Sequence, residues 1–202
     1  LRLRWGKVPG RGHILSAKNC QDALLSREVT TDEGVVRIGV VCDGCGEGAQ
    51  SEVGANLAAK FVLDEMLVLA RLGLPMRIIT KLAFRRVLEF LEGLVWAFPI
   101  SRPEEKVGFI KDYLLFTVLG FLQTPRQTVV FAYGDGWIQV NGEMVYSRHD
   151  EAPVYLGYHL VDRKYLTGEP AVLPETFTTF FFPTGEIEKL ALGTDAWLSE
   201  LD

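Results

Sequence analysis

The sequence predicts an α+β fold in which a pair of helices is inserted between strands. Residues 35–42 form a mostly apolar, β-branched run, which is typical of a buried strand. Two long stretches with apolar residues every three to four positions follow it. The second half of the chain consists of short β-prone runs separated by turns. Strands on both sides of a helix pair favour α+β architecture over strict β-α-β alternation.

The two helical stretches form the centre of the predicted fold. The first begins at Ser51, a residue type that caps helix N-termini, and stops at Gly73. The second opens at Pro75 and keeps a 3.6-residue apolar period as far as Leu94. Because only a few residues around Gly73 separate the two helices, we expect them to pack antiparallel as a hairpin.

The strands of the second half are predicted from β-branched and aromatic runs between turn residues. They cover residues 113–122, 128–133, 137–140, 143–146, 177–182 and 190–192. The dipeptide Asn141-Gly142 between two of these runs is the strongest hairpin signal in the chain. Glycines and prolines between residues 150 and 175 predict loops and short edge strands there.

Composition limits the classes of function. A chain of 202 residues is long enough for one domain, and we take residues 1–202 as a single domain. The net charge of −5, without a basic block, disfavours nucleic acid as a partner. No uncharged apolar stretch reaches eighteen residues, so we expect no membrane span. Three cysteines and no recognisable leader predict a reducing, cytoplasmic location.

Aspartates follow several of the apolar runs at tight, glycine-bearing turns. They are Asp43, Asp135 and Asp195, and Gln21-Asp22 comes near the start. Turns expose carboxylate and carbonyl oxygens, the ligands that suit Mg²⁺ or Mn²⁺. Two carboxylates about 5 Å apart repel by roughly 3 kcal/mol at an effective dielectric of 20, so their convergence at neutral pH would favour a bound cation. Each aspartate alone is better explained as a turn former, and the metal interpretation depends on the set.

Four segments occur in a fixed order: NCQDAL from Asn19, VVCDGCGEG ending at Gly48, FAYGDGWIQV from Phe131 and LALGTDAW from Leu190. The first resembles the early Asn-(Glu/Gln)-Asp-(Ala/Ser) motif of the metal-dependent protein phosphatases of type 2C, the PPM superfamily. The others resemble that family's Val-x-Asp-Gly-x-Gly-Gly, Gly-Asp-(Ser/Gly) and (Ser/Thr)-Asp-Gly-(Leu/Ile)-Trp segments, in the manner of its bacterial subgroup.

This resemblance implies a four-layer α-β-β-α sandwich, with two antiparallel sheets flanked by antiparallel helix pairs and metal ions at one end. Residues 1–202 would then be a phosphatase-like catalytic domain without its C-terminal strand or strands. The implied function is that of a signalling hydrolase, which removes phosphate from phosphoserine or phosphothreonine in proteins. A phosphorylated protein is the implied substrate, and a cognate serine/threonine kinase is an expected partner.

The resemblance also implies a role for each site residue. The implied metal ligands are Asp43, Gly44, Asp135, Asp195 and Gln21, and the implied catalytic residues are Asp43 and Asp22. Asp43 would bridge two Mg²⁺ or Mn²⁺ ions, with the Gly44 carbonyl on one and Asp195 on the other. Gln21 and Asp22 would contact metal-bound water, and Asp135 would help to hold a third, weaker ion. Two cations make a bridging water a nucleophile and neutralise charge on the phosphoryl group.

The sequence departs from the family pattern where substrate binding and metal binding are concerned. The family arginine that grips phosphate aligns near Ala17, which leaves Lys18 or His13 as substitutes without a bidentate fork. Glu47 stands where the family has glycine and adds negative charge. The family's last metal ligand, an aspartate in a C-terminal strand, is expected beyond Asp202. These departures keep a catalytically weak regulatory or binding module as the alternative function.

Other chemistries fit the same residues less well. Cys42 and Cys45 have the C-x-x-C spacing of redox and zinc sites, but Cys42 occupies a buried strand position. A cysteine phosphatase needs Cys-x₅-Arg, and none of the three cysteines is followed by arginine at that distance. The G-x-G-x-x-A match that starts at Gly44 leads into a helix pair, whereas a dinucleotide fold returns to a strand.

Overall fold

The computed structural model describes residues 19–150, 153–161 and 172–194, together with residues 4, 6, 7 and 15. The helices are α1 (Ser51–Arg71), α2 (Met76–Ala97) and α3 (Pro103–Tyr113), with short 3₁₀ helices at Leu156–Leu160 and Thr184–Glu186. The strands are β1 (Ala23–Thr31), β2 (Gly34–Cys42), β3 (Val118–Gln123), β4 (Gln127–Tyr133), β5 (Gly136–Val140), β6 (Glu143–Arg148), β7 (Thr178–Pro183) and β8 (Leu190–Gly193). The α+β class is confirmed.

The strands form two antiparallel sheets. One has the order β1-β2-β3-β4-β7 and the other the order β6-β5-β8. The sheets meet face to face, and Leu119, Phe121 and Val130 of the first sheet cluster with Ile138 of the second. The predicted hairpin between β5 and β6 is confirmed, with Asn141 and Gly142 both at positive φ as a type I′ turn requires.

Helices α1 and α2 cover the other face of the five-stranded sheet. Val62 and Met66 of α1 are fully buried in one core with Ile38 and Val40 of β2. Gly73, at φ +67°, ends the first helix and allows the chain to reverse into α2. The two-sheet sandwich implied by the family resemblance is therefore confirmed. The described residues contain no helix layer on the three-stranded sheet, and their helices include none long and apolar enough to cross a membrane.

Two local predictions differ from the structure, and two elements were not predicted. Ser51 is the first helical residue and Gln50 the N-cap, because the Ser51 hydroxyl donates to the Cys45 carbonyl (2.9 Å) instead of capping α1. Residues 113–117, predicted as strand, end α3 and run on as an extended segment. The sequence did not predict α3, since Ile110 is the one buried side chain among its eleven residues and leaves no apolar stripe. Strand β1 was also missed, because most of its residues are partly exposed.

Candidate functional site

The candidate site is built where β2 ends and its chain continues towards α1. Residues 112–117, which lead from α3 to β3, hold this loop in place by antiparallel pairing. The Thr117 N–H donates to the Asp43 carbonyl (2.8 Å), and the Cys45 N–H donates to the Leu115 carbonyl (2.9 Å). Backbone bonds of this kind fix the position of Asp43 before any ligand is present.

Gly44 occupies a position too narrow for a side chain. A Cβ there would lie 2.7 Å from Ser51 Oγ and 2.9 Å from the Gln21 carbonyl oxygen. The Gly44 N–H donates to the Gln21 carbonyl (3.2 Å). Because the N–H and C=O of an extended residue point to the same side, the Gly44 carbonyl also points towards the Gln21 side of the loop. This is the carbonyl predicted to bind a metal ion.

The side chain of Gln21 is buried, at 4% exposure, and its amide nitrogen and amide oxygen differ in their hydrogen bonding. Its amide nitrogen lies within hydrogen-bond distance of the Cys45 carbonyl (3.1 Å), the Gly48 carbonyl (3.3 Å) and Ser51 Oγ (2.8 Å), which share its two N–H donors. Its Oε1 is buried and accepts no hydrogen bond from the described residues. Such an acceptor costs about 1–3 kcal/mol when it has no partner, so it fits a cation or a water held by one.

Asp22 and Asp43 lie at the same end of neighbouring strands. Ala23 pairs with Cys42, so the two aspartates flank a paired position of β1 and β2. Burial, followed by Asp43 and Asp22, raises the pKa of the Cys42 thiol. A fully buried, protonated thiol is inert, which argues against redox or zinc chemistry at the C-x-x-C segment.

Asp135 is buried in the turn between β4 and β5, at 3% exposure. Its Oδ2 accepts the Asp150 N–H (2.7 Å), and its Oδ1 lies 3.9 Å from Arg148 Nε. Arg148 also pairs with Asp150. The aspartate predicted to hold a third metal ion therefore already has a cationic neighbour.

Thr117 connects the Asp43 loop with the Asp135 turn. Its Oγ1 accepts the Asp43 N–H (3.3 Å), and its own N–H donates to the Asp43 carbonyl. On its other side, a Cβ at Gly134 would lie 2.8 Å from Thr117 Cγ2. Sequence reasoning missed this buried threonine, since one hydroxyl within an apolar run gives no periodic signal.

Comparison with known protein families identifies the domain. The family model described as Protein phosphatase 2C matches residues 9–152, more than two thirds of the chain. The chain belongs to the protein phosphatase 2C family. The resemblance that the four sequence segments indicated is thereby confirmed.

Solved structures of phosphatases share the protein phosphatase 2C fold of this chain. The serine/threonine phosphatase Stp1 from Staphylococcus aureus is 15% identical, with a TM-score of 0.51 over 88% of this chain and 71% of that one. A bacterial serine phosphatase is 15% identical, with a TM-score of 0.51 over 88% and 73% of the two chains. A point mutant of a bacterial serine phosphatase is 17% identical, with a TM-score of 0.53 over 90% and 72%. No curated protein matches the chain. At these identities the neighbours support the fold alone.

The protein phosphatase 2C domain brings some of the predicted site residues together and leaves others apart. Asp22, Asp43, Gly44 and Gln21 share one sheet end, and Asp135 lies across Thr117 from Asp43. In the described part of the chain, no three acidic, histidine or cysteine side chains form a group able to hold a metal ion. The remaining predicted residues, Asp195, Lys18 and His13, lie outside the described residues.

Tyr155 is a partly buried residue that the sequence did not single out, and its side chain is hydrogen-bonded to that of Cys45 in the loop that follows Asp43. Burial is the largest cause of the raised pKa of its phenol, followed by Cys45. Tyr155 therefore keeps its phenol proton at neutral pH and contacts the Asp43 loop through Cys45. The glycine- and proline-rich stretch around it carries no motif that could have indicated this position.

Proposed function

We propose that the chain is a Mg²⁺- or Mn²⁺-dependent serine/threonine protein phosphatase that hydrolyses phosphomonoesters. The observation that carries the proposal is the buried Gln21 Oε1, an acceptor without a donor among the described residues, at the sheet end that also presents Asp22 and Asp43. A hard cation with its bound waters satisfies such a set of oxygens. Membership of the protein phosphatase 2C family supplies the reaction class.

The residues of this chain have separate roles in the proposed site. Asp43 and the Gly44 carbonyl would hold metal ions, with Asp195 as a further ligand, and Asp135 would contribute to a third, weaker site. Bound cations would make a water nucleophilic and neutralise charge on the phosphoryl group. Asp22 would accept a hydrogen bond from that water and orient it.

The loop is built to keep these oxygens fixed. The hydrogen bonds of the Gln21 amide nitrogen hold the loop, so its Oε1 does not need to move to receive a ligand. Preorganised oxygens of this kind stabilise developing charge without a reorganisation cost during the reaction. A phosphorylated protein is the proposed substrate and a cognate serine/threonine kinase the proposed partner. The free thiols of Cys20, Cys42 and Cys45 are compatible with the proposed cytoplasmic location.

Hydrolysis of an aryl phosphate in Mn²⁺ tests the proposal. We expect turnover that a chelator abolishes and that added Mn²⁺ restores. Asp43→Ala should lower kcat by at least about a hundredfold. Mutation of a residue that only hydrogen-bonds a metal ligand already lowers metal affinity or activity 10–100-fold, and Asp43 is proposed as a ligand itself. Asp64→Asn is the matched control, because Asp64 is a surface carboxylate that pairs with Arg27 and Lys60 on the outside of the domain. Turnover that survives both the chelator and Asp43→Ala would contradict the proposed mechanism.

A catalytically weak regulatory or binding module is the second candidate function. The ion pair between Asp135 and Arg148 favours it, because a guanidinium competes with a metal ion for this carboxylate. Titration calorimetry with Mn²⁺ separates the two functions. Binding of Mn²⁺ that Asp43→Ala removes supports the enzyme, whereas a protein that binds no divalent ion and does not turn over supports the module.

A further inference from the structure

We propose that Arg148 binds the phosphate group of the substrate, an inference that rests on the proposed phosphatase function. The sequence offered Lys18 or His13 for this task, and both lie outside the described residues. Arg148 comes from a different part of the fold, the end of β6, and nothing in its local sequence marks it as a phosphate ligand.

Strand register places Arg148 at the site end of the sandwich. It lies opposite Gly136, the residue after Asp135, and Tyr146 lies opposite Ile138. Opposite residues of an antiparallel pair project from the same face. Ile138 and Tyr146 both contribute to the core between the two sheets, so Arg148, two residues further along β6, projects from this inner face. Gly136 opposite it is closely covered by Leu119 and the Gly193 carbonyl.

The charges around the candidate site call for a cation. Asp22, Asp43 and Asp135 are acidic, and a phosphate dianion is repelled unless positive charge offsets them. Among the ion pairs of the described residues, the contact between Arg148 and Asp135 is the one that includes a candidate site residue. Burial is the largest cause of the raised pKa of the Cys20 thiol, and the charge of Lys7, a second cation in this region, opposes it.

The guanidinium of Arg148 is positioned to receive an oxyanion. The shortest contacts of its guanidinium with Asp135 and Asp150 are both made through Nε, and the Tyr146 side chain is a further hydrogen-bond partner. The side chain is 36% exposed, so a solute can reach the guanidinium. Arginine binds phosphate with two parallel N–H···O bonds, a geometry that lysine cannot provide. The two aspartates therefore orient the guanidinium, and its exposed part is the side from which a phosphate would reach it.

Steady-state kinetics with an aryl phosphate and phosphate binding together test the inference. Arg148→Gln should raise KM about tenfold or more, as expected for loss of charged hydrogen bonds, and change kcat much less. The affinity for inorganic phosphate, measured by calorimetry in Mg²⁺, should fall by a similar factor. Arg148→Lys keeps the charge but not the fork and should give an intermediate KM. Arg27→Gln is the matched control, because Arg27 is an ion-paired strand arginine at the surface.

The possible outcomes distinguish this inference from the proposed function. A raised KM and weaker phosphate binding in Arg148→Gln, with Arg27→Gln unchanged, support Arg148 as the phosphate ligand. An active wild-type protein whose KM and phosphate affinity stay within twofold in Arg148→Gln overturns the inference and leaves the phosphatase function intact. If Lys7→Met weakens phosphate binding and Arg148→Gln does not, the inference is likewise overturned. A wild-type protein without turnover contradicts the proposed function, and phosphate calorimetry still decides the role of Arg148.

Discussion

Thr117 is the residue that sets how the two aspartate-bearing turns lie relative to each other. Its hydroxyl accepts the Asp43 N–H, and its methyl group lies against Gly134, the residue before Asp135. Gly134 has φ +87° and is closely enclosed, so it cannot yield to a larger neighbour. The spacing of the two turns therefore depends on both the hydroxyl and the methyl group of Thr117.

We expect Thr117→Val and Thr117→Ser to separate these two contributions. Valine keeps the shape but leaves the Asp43 N–H without its side-chain acceptor, so it should lower the free energy of unfolding by about 1–2 kcal/mol. It should also lower kcat for an aryl phosphate, because the Asp43 backbone loses one of its two bonds to Thr117. Serine keeps the acceptor and removes the methyl group. Urea unfolding and steady-state kinetics measure both effects, and a valine variant with wild-type stability and kcat would refute the role of the hydroxyl.

At the scale of elements, α1 and the end of α3 approach each other closely. A Cβ at Gly54 of α1 would lie 1.9 Å from the Tyr113 carbonyl oxygen. That oxygen belongs to the backbone, so the overlap could be relieved only by moving an element. Residues 112–117 hold the Asp43 loop, which means that the α1–α3 contact also supports the candidate site.

Gly54→Ala should therefore destabilise the protein, against the usual trend. Alanine in place of glycine inside a helix normally gains about 0.5–1 kcal/mol. Gly93→Ala in α2 is the matched control, because no atom lies within 4 Å of a Cβ there, and we expect it to show that gain. The free energies of unfolding of the two variants should change with opposite signs. A stabilising Gly54→Ala would mean that α1 and the end of α3 do not approach each other this closely.

At the scale of the whole molecule, features with a local sequence signature were predictable and features made by packing were not. The Asn141-Gly142 turn and the stop at Gly73 need positive φ, which the residue types themselves reveal. Helix α3 fully buries one side chain, Ile110, so its apolar pattern is much weaker than those of the two long helices. The same distinction applies to the candidate site. Asp22 and Asp43 belong to sequence segments that resemble family motifs. Strand register and tertiary contacts place Thr117, Arg148 and Tyr155 near these segments, and no local sequence signal marks them.

The hydrogen bond between Tyr133 and His159 ties a distant segment to the sheet. Tyr133 lies at the end of β4, and its hydroxyl is 2.8 Å from His159 Nε2. His159 belongs to the segment that also carries Tyr155, and its ring packs edge-on against Phe84 of α2. The His159 imidazole therefore connects the sheet, helix α2 and the segment whose Tyr155 side chain contacts Cys45. Burial lowers the pKa of His159, although a hydrogen bond to the backbone of Pro174 and the charge of Glu175 oppose it.

This lowered pKa predicts that stability falls as the pH drops below neutrality. A histidine whose pKa is lower in the folded than in the unfolded state binds its proton more readily when unfolded, so protons favour unfolding. The contribution is fully present above the unfolded pKa of about 6.5 and is lost as the pH falls towards the folded value. One such group changes the free energy of unfolding by at most about 1.4 kcal/mol per pH unit.

Urea unfolding between pH 7.5 and 5 should show this slope, and His159→Gln should reduce it. An equal slope in wild type and His159→Gln would assign the pH dependence to other groups and leave His159 without a part in it.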